Sequence, residues 1–175
     1  MVGFHTRASD TLVQVPGCQL LTPALIASFP ALVALTALAC SRKGEIDLTV
    51  TEADLGPDVL VETDKDLTPQ LRVELAALAN QYGLSRLVWN DEPVVMINPP
   101  KQDFGGNGVV PPPGAFLQAT KHGEATLVAA VNEIARTASR IVDLFAGCGT
   151  FSLPLAKRVA VHAVEGEAAM LNALD

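Results

Sequence analysis

The stretch RIVDLFAGCGTFSLPLAKRVAVHAVEG, residues 140–166, constrains the fold more than any other part of the chain. An apolar run fit for a buried strand ends at Asp143. A Gly-x-Gly turn follows at Gly147 and Gly149, then a short helical stretch, then a second apolar run that ends at Glu165. Strand, glycine turn, helix and strand make a βαβ unit, the opening half of a doubly wound (Rossmann-like) α/β sheet. In such sheets ligands sit at the carboxyl ends of the strands, where glycines let the backbone approach them.

Two ligand classes compete for that turn. The dinucleotide fingerprint needs a third glycine, G-x-G-x-x-G, and Ser152 stands in its place. Pyrophosphate also favours bare amides at a helix N-terminus, and Asp143 just ahead of the turn repels it. S-adenosylmethionine reverses this logic, because it carries an ammonium and a sulfonium. An acid at the first strand end then helps, and Glu165 at the second is placed to accept both ribose hydroxyls. The pattern favours the methyl donor over the dinucleotide.

The rest of the chain narrows the class. With 49% hydrophobic residues in 175, it buries a substantial core of one ordinary domain or two small ones. Acids outnumber bases 19 to 12. A stand-alone nucleic-acid binder is usually basic, so any RNA contact must come from a local patch or from outside these residues. Three scattered cysteines without a CxxC pair indicate a reducing compartment, the cytoplasm, rather than a disulfide framework. His5, His122 and His162 show no metal-ligand spacing. The start, MVGFHTRASD, has no apolar signal core. The uncharged run Gln19–Ser41 is long enough to be weighed as a membrane span. Thr22-Pro23 reads as an N-cap with proline at the first helical position, Pro30 interrupts the middle, and much of the run is alanine. It is expected to be a core helix, with no membrane contact.

Along the chain, GFHTRASDTLVQV reads as two short strands, and EIDLTVTEA and DVLVET as two more. A helix is expected from Asp66–Pro69 to Tyr82, closed by Gly83. LSRLVWN and PVVMIN follow as strands. The ββα-ββα-ββ order implies an α+β domain, an antiparallel sheet with helices on one face. Residues 99–114, PPKQDFGGNGVVPPPG, are too rich in proline and glycine for regular structure and mark a linker. Domain limits are therefore expected at 1–113 and 114–175. In the second part AFLQAT is expected to be a short strand and His122–Ala138 a helix.

DLFAGCGTF resembles the first motif of class I methyltransferases of the D-x-F-x-G-x-G-x-F kind. PPPGAFLQATKHGEATLV, residues 111–128, is similar to the F-x-Q-x-N segment of the RNA uracil-5-methyltransferases, which form 5-methyluridine in tRNA and 23S ribosomal RNA. VGFHTRASDTLVQVPGCQLLTP, residues 2–23, resembles the start of that family's central domain. Order and spacing match across nearly the whole chain. The resemblance implies S-adenosyl-L-methionine as methyl donor and RNA as partner. It implies that Gln118 contacts the donor, that Phe145 packs along it, that Gly147 and Gly149 bring the backbone close with Thr150 beside them, and that Glu165 takes the ribose. Thr120 and Thr150 stand where the family has asparagine. Cys18 matches the last of four cysteines that hold a 4Fe-4S cluster in many relatives, and one thiolate cannot hold such a cluster.

The family's chemistry, as the resemblance implies, starts with a cysteine thiolate adding to carbon 6 of uracil. That nucleophile and its base belong to the second half of the family's catalytic sheet. Cys148 lies in the donor loop and is not expected to replace it, so this chain is expected to be an inactive fragment of a larger enzyme. Two other readings compete: a class I methyltransferase acting on an exocyclic nitrogen or a small molecule, and a non-catalytic RNA-binding module based on residues 1–113.

Overall fold

The computed structural model describes residues 1–40 and 44–174; Arg42 and Lys43, for which the sequence alone suggests solvated faces rather than phosphate contacts, lie outside them. The chain forms two compact units, Met1–Pro100 and Lys101–Asp175.

The first unit opens with a hairpin of β1 (Phe4–His5) and β2 (Leu12–Val13). Helix α1 (Pro23–Ala39) begins as its sequence dictates: the Thr22 hydroxyl accepts the Leu25 amide, and Pro23 occupies the first turn, where no backbone donor is needed. It continues through Pro30 and buries Ala31, Leu32, Leu35 and Ala39, a stripe at helical spacing. No helix among the described residues is long and apolar enough to cross a membrane.

Four strands, β3 (Asp47–Thr51), β4 (Asp58–Glu62), β5 (Arg86–Trp89) and β6 (Glu92–Met96), form one sheet in that order. Helix α2 (Pro69–Tyr82) joins β4 to β5. The sheet is not wholly antiparallel as expected: β4 and β5 run parallel. The cause is α2, which carries the chain back across the sheet before β5 begins, as a parallel connection requires. One face of the sheet, with Val59, Val61, Leu87 and Trp89, packs on α1 and on Leu71, Leu75, Leu78 and Ala79 of α2. The Trp89 indole donates to the Lys65 carbonyl at 2.8 Å. On the opposite face Asp58 and Arg86, partners in the parallel register, form a buried two-point ion pair at 2.6 and 2.8 Å.

The second unit begins in the proline- and glycine-rich segment. That segment does contain regular structure, a minimal hairpin of β7 (Gln102–Asp103) and β8 (Gly108–Val109). The Asp103 carboxylate accepts the Gly106 amide and closes the turn. Phe104 and Val109 are buried with Cys148 and Met170, so residues 101–113, read from sequence as the end of the first domain, pack within the second unit. AFLQAT is irregular rather than a strand: its Thr120 is the N-cap of α3 (Lys121–Ile134), its hydroxyl accepting the Gly123 amide at 3.0 Å. The helix ends at Ile134, short of Ala138.

The βαβ unit then follows as expected: β9 (Arg140–Leu144), α4 (Ser152–Ala156) and β10 (Ala160–Val164), closed by α5 (Ala168–Asn172). The strands are parallel, with Arg140 opposite Ala160 and Leu144 opposite Val164. Parallel registration brings both carboxyl ends to one edge.

Candidate nucleoside site at the ends of β9 and β10

Beyond Leu144 the chain turns sharply. Phe145 sits at φ 60°, in the left-handed region, and is 89% exposed. A bulky side chain in that conformation costs on the order of 1–2 kcal/mol. Neither core packing nor turn propensity accounts for a strained, exposed aromatic residue at this position, which makes it a candidate contact residue.

The two glycines have different roles. Gly147 has φ 57°, and a Cβ there would meet nothing within 4 Å. It leaves an open approach to the backbone. Gly149 has φ 94°, and a Cβ would fall 2.2 Å from a Leu174 methyl and 2.9 Å from Leu153. It is required by packing. Between them Cys148 is buried, and burial pushes its thiol pKa up, with Glu124 adding to the effect. Glu124, at the start of α3, is itself raised by burial, opposed by Lys121.

Glu165 fastens the two strand ends together. One carboxylate oxygen accepts the Gly147 amide at 2.8 Å, and the other accepts the amides of Gly166 at 2.7 Å and Glu167 at 3.0 Å. These bonds, led by that of Glu167, hold its pKa below the ordinary glutamate range. The carboxylate is thus fixed and ionised beside the open glycine. Each oxygen retains lone pairs for further donors.

Asp143, half-buried near the end of β9, accepts a hydrogen bond from the buried Ser152 hydroxyl at 2.6 Å. In the sequence Ser152 stands out only as the residue at the third glycine position of a dinucleotide turn. Its position one turn past Gly149, facing back to the strand, was the available signal. Thr150 lies half-buried in the same turn. Asp143, Phe145, Gly147, Gly149, Thr150 and Glu165 thus all lie at or just beyond the carboxyl ends of β9 and β10, with Glu165 bonded to Gly147. Gln118 is half-buried in the irregular stretch before α3, and no hydrogen bond joins it to the turn; its neighbour Leu117 packs on the cluster that contains Cys148.

Among the described residues the ligand set of a 4Fe-4S cluster is not assembled. The three cysteines are free, and no group of three or more potential metal ligands occurs among the described residues. Cys18 thus lacks the companion thiolates such a cluster needs.

Parallel strands that end in a glycine turn and a fixed carboxylate are the arrangement seen at the ligand edge of Rossmann-like units. No family model matches the chain. It is 36% identical over all its 175 residues to an uncharacterized RNA methyltransferase of Mesorhizobium japonicum, covering 42% of that protein. It is 31% identical to RlmD, the 23S rRNA (uracil(1939)-C(5))-methyltransferase of Shewanella halifaxensis, over 98% of the chain and 41% of the relative. Among solved structures, the Pyrococcus abyssi tRNA (uracil-54, C5)-methyltransferase in complex with S-adenosyl-L-homocysteine superposes with a TM-score of 0.67 at 15% identity. That match covers 94% of this chain and 46% of the other, and it shows a shared fold. The resemblance to the RNA uracil-5-methyltransferases is borne out: the chain is homologous, end to end, to part of these proteins.

Proposed function

We propose that the chain binds S-adenosyl-L-methionine at the carboxyl ends of β9 and β10, as the donor-binding part of an RNA uracil-5-methyltransferase acting in the cytoplasm on tRNA or ribosomal RNA. The observation that carries this reading is the Glu165 carboxylate, held by three backbone amides beside a glycine with open space before it. A fixed acceptor pair at a second strand end suits the two hydroxyls of a ribose. Phe145 offers an apolar face to the donor, and Gly147 gives its backbone room.

The donor supplies an electrophilic methyl on a positive sulfur. The chain's residues bind and orient it and keep the glycine turn packed. Methylation at carbon 5 of uracil needs a thiolate adding at carbon 6, the carbon 5 enolate taking the methyl, loss of the carbon 5 proton to a base, and expulsion of the thiolate. Cys148 is unsuited to the first step, because it is buried and held towards the neutral thiol. Calorimetric titration of the 175-residue chain with S-adenosylmethionine and with NAD tests the reading. Binding of the first, lost in Glu165→Ala, is expected; preference for NAD, or an unchanged affinity in the variant, overturns it.

A further inference from the structure

The hydrogen bond between the buried Ser152 and the half-buried Asp143 is not explained by packing alone. Ser152 is 5% exposed and opens α4, and its hydroxyl is spent on one oxygen of Asp143 nine residues upstream. The other Asp143 oxygen has no hydrogen-bond partner among the described residues. A hydroxyl donating to a carboxylate makes a short, charge-assisted bond that fixes the rotation of the carboxylate plane. A glycine at position 152, as a dinucleotide turn has, would leave Asp143 free to rotate.

We propose that Ser152 is a positioning residue that holds the Asp143 carboxylate towards the carboxyl end of β9, where it receives the positive ammonium of S-adenosylmethionine and disfavours pyrophosphate ligands. This rests on the donor-binding reading above. The serine acts on affinity only through Asp143, so its effect depends on a positive charge in the ligand and on the presence of that acid.

Both dependences can be measured. The full 175-residue chain and its Ser152→Ala, Asp143→Asn and double variants are titrated with S-adenosylmethionine and with 5′-methylthioadenosine. The second ligand shares the adenosine and the sulfur but has neither ammonium nor sulfonium. Ser152→Ala is expected to weaken S-adenosylmethionine about tenfold, the scale of one hydrogen bond to a charged group. Methylthioadenosine should change less than about twofold, and the double variant should bind no more weakly than Asp143→Asn alone. Equal losses for both ligands, additive losses in the double variant, or no loss at all would overturn the proposal while leaving the donor site standing. Failure of the unaltered chain to bind either ligand would overturn both readings. Ser152→Gly removes the hydroxyl without adding volume, and Ser152→Thr restores it. If the alanine variant does not fold, the same two-ligand comparison between glycine and threonine decides, with weaker S-adenosylmethionine binding expected only for glycine.

Discussion

At the residue scale the site depends on backbone groups held by single side chains, and these can be tested singly. The Glu165 pKa is depressed in the fold, so its ionised form stabilises the folded chain above the ordinary glutamate value of about 4.3, and that contribution is lost as pH falls through the lower folded value. The melting temperature of the unaltered chain should therefore drop more steeply below about pH 4.3 than that of Glu165→Gln; identical slopes would mean that the amide bonds contribute nothing. The glycines should separate stability from binding. Gly149→Ala forces a methyl into Leu174 and Leu153 and is expected to cost about 2–4 kcal/mol in denaturant unfolding, overpacking plus left-handed strain. Gly147→Ala meets no neighbour and should cost only about 1 kcal/mol, while blocking donor binding. The sequence showed which residues cluster here, because strand ends and glycines are local signals. It did not show the Ser152–Asp143 bond or the burial of Cys148, which exist only once α4 folds back on β9.

At the element scale, the boundaries that were legible were those written in caps. Thr22-Pro23 and Thr68-Pro69 each place an N-cap hydroxyl ahead of a first-turn proline, and both helices start there. Thr120, standing where the family has asparagine, serves as the cap of α3, a role that both a hydroxyl and an amide can fill. Thr68→Ala should lower stability by about 1 kcal/mol in urea unfolding. Strand direction was not legible in the same way. Alternation identifies the faces of β4 and β5, yet only the path of α2 makes them parallel. That direction has an energetic consequence, because it places Asp58 beside Arg86 on the sheet face away from α1 and α2. Replacing Asp58 with alanine removes the carboxylate that a buried guanidinium is paired with and should cost about 3–5 kcal/mol. A loss under 1 kcal/mol would show that water reaches the pair.

For the whole molecule, the donor reading predicts where binding energy should appear. A ligand at 100 times its dissociation constant stabilises the state that binds it by about 2.7 kcal/mol, a factor of about one hundred in opening. The amides of β9, β10 and the turn at Gly147–Gly149 should show that slowing in hydrogen exchange when S-adenosylmethionine is added, provided they exchange through unfolding of the second unit. The hairpin of β7 and β8 should follow them, because Phe104 and Val109 share a core with Cys148. Protection confined to β3–β6 would move the ligand to the first unit and end the assignment. The same sample addresses chemistry. Cys148 is the cysteine of the second unit, and burial raises its thiol pKa, so iodoacetamide at neutral pH should modify it far more slowly than in urea. A thiol so enclosed and held towards its neutral form is a poor nucleophile. The 175-residue chain is therefore expected to bind the methyl donor yet leave unmodified tRNA and ribosomal RNA without 5-methyluridine; turnover abolished by Cys148→Ala would reverse that conclusion.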